Sequence, residues 1–274
     1  MNVQLGTAQF GNNYGLTNSQ SSLSKEECWR ILDAALDYGL YEIDTSPDYG
    51  DSLSILSEYG GGPLTITSKV RVKGLSKNEI LQIIMSQWSQ VGSYHNLSTV
   101  LVHDFSSLDP FEVHKVFSIQ DVELPCRIGF SIYENWELEI LAECSEYIPI
   151  QVPISILNQS MLSGLENCKK NSFEFIARSI FLQGALDWSS PKNRFNEHPD
   201  ILKLKHLGDL LDLNPIALAI NFAKQLDVRS VLVGFASDYQ LKEFMDIWRD
   251  PSMKQIDFSE YGSQDLSLID PRLW

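Results

Sequence analysis

No Cys-x-x-Cys pair occurs in this chain, and its four cysteines, Cys28, Cys126, Cys144 and Cys168, stand far apart. Neither a disulfide framework nor a zinc site is indicated, and buried thiols are the expectation. Basic residues are scarce: 21 Lys and Arg face 36 Asp and Glu, for a formal charge of −15 and a pI near 4.7. Nucleic acid and anionic membranes need a concentrated basic face, so neither is expected as a partner, and any anion must meet a local basic pocket. No apolar run is long enough to span a bilayer, and residues 1–5 lack the basic flank and apolar stretch of a signal peptide. A soluble cytoplasmic protein is expected. No Gly-x-Gly-x-x-Gly follows any apolar run, which leaves a Rossmann dinucleotide site without support. No short repeat, low-complexity segment or composition shift marks a linker, and 274 residues suit one α/β barrel domain, for which about 250 are usual.

What is present is an alternation of short apolar runs with amphipathic stretches. Strands are expected at 3–5, 41–44, 64–70, 98–103, 126–131, 148–153, 173–181 and 229–234. Between them, Ser24-Lys25-Glu26-Glu27 and Ser76-Lys77-Asn78-Glu79 have the spacing of capping boxes. The first precedes a helical face of Cys28, Ile31, Leu32, Ala35 and Leu36 that Gly39 stops; the second precedes Ile80, Ile83, Ile84 and Trp88. Further helices are expected at 52–59, from Asp109-Pro110 onward, at 136–144, at 199–211, from Asn214-Pro215 to Leu226, and from Ser237 to about Trp248. Residues 182–199 form a long polar loop of the kind that serves as a lid or binding segment, and the tail to Trp274 should wrap over the surface. The alternation predicts a closed parallel (β/α)8 barrel.

Three of these strands end on chemistry. The second delivers Asp44 and, five residues on, Tyr49; the third finishes on Lys69; the fourth finishes on His103. In a barrel of this kind all four lie at the C-terminal face, where such enzymes keep their reactive groups. Reducing a carbonyl by hydride transfer leaves negative charge on oxygen, so the site needs a proton donor and groups that stabilise the alkoxide. Tyr49 can donate. A phenol with an ordinary pKa near 10 is a poor acid at neutral pH, but the adjacent Lys69 ammonium favours its ionised form. Asp44 would hold Lys69 by an ion pair, and His103 could hydrogen-bond and orient the carbonyl oxygen. The other histidines, His95, His114, His198 and His206, read as surface residues.

Asp44-Thr45 followed by Tyr49-Gly50, the strand end Ser68-Lys69, and Leu101-Val102-His103 resemble, in order and spacing, the catalytic motifs of the aldo-keto reductases. The likeness runs from Leu5-Gly6-Thr7 to Glu243. It implies a (β/α)8 barrel, Asp44, Tyr49, Lys69 and His103 as catalytic tetrad, and NADPH, expected over NADH, bound across the C-terminal face. It also implies that Ser131 and Gln151 hold the nicotinamide amide, with Ile132 where part of the family has Asn. The segment Gly234 to Glu243 resembles the family's adenosine-phosphate segment, which places Gly234, Ser237, Gln240 and Glu243 there. Backbone N–H groups at the start of that helix are unsatisfied and suit phosphate. Ala236 stands where some members have an arginine for the 2′-phosphate, and Phe244 where Asn is usual.

Arg178 and Ser179 join the cofactor set. Arg178 occupies the position where many relatives stack a tyrosine on the nicotinamide, and we expect its guanidinium to face the cofactor. Two other roles stay open for it: an ion pair with Asp187 or another rim carboxylate, or reception of a carboxylate or phosphate of the substrate. The leading expectation is an NADPH-dependent carbonyl reductase. The segments 5–11 and 178–184 resemble bacterial reductases of sugar-related carbonyls in surface-polysaccharide pathways. A cofactor-binding regulatory or redox-sensing subunit of the same fold is the alternative, and a barrel lyase or isomerase using Lys69 as a Schiff base is a third reading.

Overall fold

The structure is a computed structural model that describes residues 1–11, 15–16, 23–120, 122–142, 148–168, 173–251 and 255–274. Strands β1 (Asn2–Gly6), β2 (Glu42–Asp44), β3 (Thr65–Val70), β4 (Asn96–Val102), β5 (Arg127–Ser131), β6 (Ile148–Pro153), β7 (Phe173–Arg178) and β8 (Ser230–Gly234) pair in parallel, each with the next, and β8 returns to β1. This closed order is the (β/α)8 barrel that the alternation predicted. Helices α1 (Ala8–Gly11), α2 (Lys25–Asp37), α3 (Ser52–Ser57), α4 (Lys77–Val91), α5 (Pro110–Gln120), α6 (Asn135–Leu141), α7 (Leu162–Asn167), α8 (Pro199–Leu211), α9 (Pro215–Ala223), α10 (Asp238–Arg249) and α11 (Leu266–Ile269) fall between the strands and after the last.

Local chemistry accounts for the helix starts. Both expected capping boxes form, Ser24 with Glu27 and Ser76 with Glu79. Asn214 and Ser237 cap α9 and α10 as their side chains accept the N–H groups of Ala217 and Gln240. On α2 the buried face is Cys28, Ile31, Leu32, Ala34 and Ala35. On α4 it is Ile80, Ile84, Gln87 and Val91, and Trp88, expected on that face, is 43% exposed. The inward position one residue earlier is taken by Gln87, whose Nε2 donates to the backbone oxygen of Lys69 at 3.0 Å. A polar residue inside the apolar stripe marks a backbone group that needs a partner.

Several boundaries differ from the pattern. The seventh strand stops at Arg178 because Ser179 turns to φ 63°, and Leu182 and Gln183 are also left-handed. Apolar residues 180–182 are therefore packed loop, not strand. The helix expected at 136–144 ends at Leu141, and Cys144 lies outside the described residues. Helix α9 ends at Ala223, and the short α1 and α7 were not announced by the sequence, since a single turn carries little periodicity. The tail does more than wrap the surface: Leu268 and Ile269 are buried. His95 is buried as well, its Nδ1 accepting the Leu64 N–H at 3.2 Å, and His198 caps α8 and meets Asp265 at 3.1 Å. Only His114 and His206 are exposed as expected.

The two ends of the barrel carry different chemistry. At the N-terminal end Arg229 bonds both Glu42 and Glu174, Arg127 bonds Glu174 at 3.0 Å, and Gln4 bridges Glu42 and Ser230. These charges tie β1, β2, β5, β7 and β8 together, a structural role suited to that face. Strand β5 approaches β6 closely at Gly129, where an added Cβ would lie 2.3 Å from the Pro149 carbonyl oxygen. Gly129→Ala is expected to push these strands apart and to cost on the order of 1–3 kcal/mol. The measure is a lower urea midpoint at unchanged slope.

Candidate active site

Three strand ends bring the predicted catalytic residues together. Asp44 closes β2 and Lys69 lies one residue short of the end of β3; they are 1% and 2% exposed, and Lys69 Nζ meets Asp44 Oδ1 at 2.5 Å. The ammonium also donates to the Thr45 carbonyl at 3.0 Å. Burial pulls the Lys69 pKa down, but the Asp44 carboxylate and Tyr49 outweigh it and the net direction is up. Lys69 is therefore a cation at neutral pH. A β-bulge at Ser98 of β4, which shifts the β3 register between Ile66 and Thr67, immediately precedes this stretch of β3.

Tyr49 sits above the pair, with Lys69 Nζ 4.8 Å from its ring centroid. Its backbone is held by Ser46 and Ser52, and Gly11 lies so close that a Cβ there would be 2.0 Å from the Tyr49 carbonyl oxygen. Thr7 donates to the Asp44 carbonyl, while Ser52 bonds Thr7 and Thr45. Burial raises the Tyr49 pKa above its ordinary value; Lys69 opposes this and Asp44 reinforces it. The expected help from the ammonium is present, yet burial wins, so Tyr49 keeps its proton at neutral pH.

His103, just past β4, is 17% exposed in its side chain, and its Nδ1 lies 3.4 Å from Asp48 Oδ2 without a hydrogen bond. Asp48 itself accepts from Arg71 Nε at 2.8 Å. Burial first, then the charges of Lys69, Arg71 and Arg178, push the His103 pKa down to about 4. The ring is neutral at pH 7 and carries one N–H that can meet an oxygen.

Ser131 and Gln151 are register partners on β5 and β6, both buried. Gln151 Nε2 donates to Asp44 Oδ2 at 2.5 Å, a contact the sequence pattern did not anticipate. Its Oε1 and the Ser131 Oγ are buried without partners. One free acceptor beside one free hydroxyl matches the donor and acceptor of a carboxamide, so this pair fits a nicotinamide amide.

The remaining cofactor candidates are brought to the same face but differ from expectation in detail. Gly234 packs against Gln9, whose Oε1 would lie 2.3 Å from an added Cβ. Two backbone donors expected to be unsatisfied are occupied: Ala236 N–H by Gln240 Oε1 at 2.9 Å and Gln240 N–H by Ser237 Oγ at 3.2 Å. Glu243 is half-buried. Phe244 points inward, 1% exposed, and packs on Phe181, Phe235 and Trp248. Ser179 begins the left-handed turn after β7. Arg178 makes no ion pair with Asp187; its Nη2 donates to the Ile132 carbonyl at 3.1 Å and its guanidinium covers the Tyr133 ring at 4.3 Å. Among the described residues no His, Cys, Asp and Glu group has the arrangement of a metal site.

The model of the Aldo/keto reductase family matches residues 2–260. A protein of Pseudomonas aeruginosa assigned to the aldo-keto reductases superposes with a TM-score of 0.65 at 19% identity, over 90% of this chain and 88% of that one. A glycerol dehydrogenase from Gluconobacter oxydans superposes with a TM-score of 0.63 at 16% identity, over 93% of each chain. At such identities these likenesses concern the fold. No curated protein matches the sequence.

The depressed His103 pKa makes stability depend on pH. The unfolded imidazole binds its proton near pH 6.5, the folded one only near pH 4. The unfolded chain thus holds more protons in that window, and stability falls as pH drops from about 6.5 to about 4. Urea titrations across this range should show that fall, and His103→Asn should flatten it by on the order of 2–3 kcal/mol.

Proposed function

The chain belongs to the aldo/keto reductase family, oxidoreductases that act on carbonyls and alcohols with a nicotinamide cofactor, and from that premise we propose that it reduces an aldehyde or ketone with NADPH. The observation that carries the reading is the buried Asp44–Lys69 pair beneath a protonated Tyr49, with neutral His103 at the same mouth. When bound, the nicotinamide supplies a hydride. Ser131 and Gln151 would hold its amide.

The residues then divide the remaining work. His103 presents a neutral N–H to the carbonyl oxygen and so polarises it without competing for the proton. Tyr49 holds that proton at its hydroxyl and releases it as charge develops on the oxygen. Lys69 is fixed where a phenolate would form and stabilises it, while Asp44 and the Thr45 carbonyl prevent the ammonium from turning away. A phenol protonated at neutral pH serves reduction directly, whereas the reverse reaction first requires its ionisation.

For the adenosine end the proposal places Gly234, Ser237, Gln240 and Glu243 along the cofactor, with the backbone at Arg178 and Ser179 nearer the ring. Within residues 234–243 the one cation, Lys242, is paired with Asp238 at 2.9 Å. The 2′-phosphate therefore needs a cation from elsewhere; Arg30 of the neighbouring α2, 60% exposed and only 4.0 Å from Glu27, helps to lower the Asp238 pKa and is the candidate.

Tyr49→Phe is expected to quench protein fluorescence normally on NADPH titration and to lose on the order of 10²–10⁴-fold in kcat with an aldehyde. Turnover near that of the unmodified protein would remove Tyr49 from the donor role, and tight cofactor binding with no turnover in either protein would favour a sensor. Arg30→Ala should weaken NADPH by about 3- to 10-fold while leaving NADH unchanged, the size expected of one exposed charge-assisted contact. Equal dissociation constants in variant and parent would place the 2′-phosphate elsewhere.

A further inference from the structure

Beside the tetrad, the loops after β5, β6 and β7 and the C-terminal tail enclose a cleft of about 180 Å³. Its walls include Tyr133, Asn158, Arg178, Gln183, Asp270 and Arg272. None of Asp44, Tyr49, Lys69 and His103 lines it. Arg178 links the two places. Its backbone ends β7 opposite Pro153 of β6, its side chain lines the cleft, and its charge is felt by Tyr49 and His103 on one side and by Asp270 on the other.

The cleft holds two guanidinium groups, and they are in opposite states. Tyr133 lies between them, with the Arg178 carbon 4.3 Å and the Arg272 carbon 4.1 Å from its ring centroid. Arg272 is neutralised: it bonds Asp270 at 2.7 Å and Glu134 at 3.0 Å, and these carboxylates drive its pKa up. Arg178 is not. Among the described residues it has no carboxylate partner, its Nη2 is on a neutral carbonyl, and its Nε is buried with no acceptor. In a protein with 36 acidic residues against 21 basic ones, a cation left unpaired at a cleft wall is conspicuous. A buried guanidinium donor without an acceptor is costly, and the fork of a guanidinium matches a carboxylate or phosphate.

The support around Arg178 is rigid. Ser179, Leu182 and Gln183 have φ of 63°, 47° and 52°, a conformation unfavourable for side-chain-bearing residues. Packing holds it: Leu182 is 1% exposed, Leu182 N–H bonds the Ser179 carbonyl at 2.7 Å, and Gln183 accepts from Leu16 across the mouth at 2.9 Å. The opposite wall is fixed through Asn158, which donates to the Ile269 carbonyl, and through Arg272 on Glu134. The site is preformed around the open guanidinium.

We propose that Arg178 receives an anionic group of the substrate, so that the protein selects small carbonyl compounds bearing a carboxylate or phosphate, with the anion in this cleft and the carbonyl at Tyr49 and His103. This rests on the carbonyl-reductase reading. Of the roles open to Arg178 this one is favoured over stacking on the cofactor, because Tyr133 covers one face of the guanidinium while its buried Nε has no acceptor.

The test compares 4-carboxybenzaldehyde with 4-nitrobenzaldehyde, of similar shape but without charge, at saturating NADPH. The ratio of kcat/KM for the two probes should favour the carboxylate and should fall by about 10- to 100-fold in Arg178→Met, the size of one lost charge-assisted contact, through KM for the anion. Arg178→Lys should recover part of the ratio by keeping the charge without the fork. An unchanged ratio overturns the proposal. If both probes then lose equally and the NADPH dissociation constant rises, the anion Arg178 meets belongs to the cofactor. A binding arm separates this from the reading beneath it: calorimetric titration of 4-(hydroxymethyl)benzoate into the protein saturated with NADPH forms a complex with no hydride acceptor, so no turnover occurs. Binding weakened about 10-fold or more in Arg178→Met supports the anion site even if no aldehyde is reduced, and equal affinities in both proteins refute it.

Discussion

The buried ion pair between Asp44 and Lys69 is the constraint around which the rest of the site is built. Two charges removed from water are tolerated only with close geometry and satisfied neighbours. Both conditions are met here: Asp44 accepts from Lys69 and Gln151, and Lys69 reaches the Thr45 carbonyl as well. Each partner needs a second element behind it. Gln87 from α4 holds the Lys69 backbone oxygen, and Thr7 from the end of β1 holds that of Asp44. The pair thereby commits β1, β2, β3, β6 and α4 to one arrangement, and Tyr49 and His103 inherit their electrostatics from it. Its positive member helps to keep His103 neutral, and its negative member helps to keep Tyr49 protonated.

Charge is distributed unevenly between the two ends of the barrel. At the N-terminal end the arginines Arg127 and Arg229 are bound by Glu42 and Glu174, and the strand starts are stitched together. At the C-terminal end, Arg178 meets a carbonyl oxygen and an aromatic face but no carboxylate among the described residues. The first end is spent on stability. At the second, unsatisfied polar atoms at Ser131, Gln151, His103 and Arg178 are the places where a cofactor and a substrate can complete the hydrogen bonding. The acidic balance of the whole chain makes that local positive field more selective, since anions have few other places to settle.

The grouping of Asp44, Tyr49, Lys69 and His103 at the barrel mouth was legible in the sequence because each is tied to the end of β2, β3 or β4. Strands of a parallel barrel are continuous apolar runs, so the first polar residue at the end of such a run is exposed to the mouth wherever the strands close. Asp44 and His103 are found by that rule, Lys69 as the one charged residue of β3, next to its end, and Tyr49 by its short turn from Asp44. Capped helices were equally legible, because Ser24, Ser76, Asn214 and Ser237 act on N–H groups two or three residues away. Less was readable where the deciding contact is remote. The end of β7 was misplaced at residue 181 since Ile180, Phe181 and Leu182 are apolar, and nothing nearby in sequence announces the left-handed backbone that packs them as a loop. Nor does the sequence announce that Phe244 turns into an aromatic cluster or that Gln240 Oε1 accepts the Ala236 N–H.

What the sequence by itself determined is therefore the barrel, the order of its strands and the identity of the groups at its mouth, all consequences of periodicity and of short-range capping. Tertiary structure alone decided which of those groups are charged, paired or left open. Tyr49 stays protonated because burial exceeds the pull of Lys69; Arg272 is neutralised by Asp270 and Glu134, from the tail and the β5 loop; Arg178, from β7, is left with Tyr133 and the Ile132 carbonyl. These outcomes depend on desolvation and on distances between residues up to 138 positions apart. Such quantities come into being only when the barrel closes, because the energy of a charge is set by what surrounds it in space and not by its neighbours along the chain.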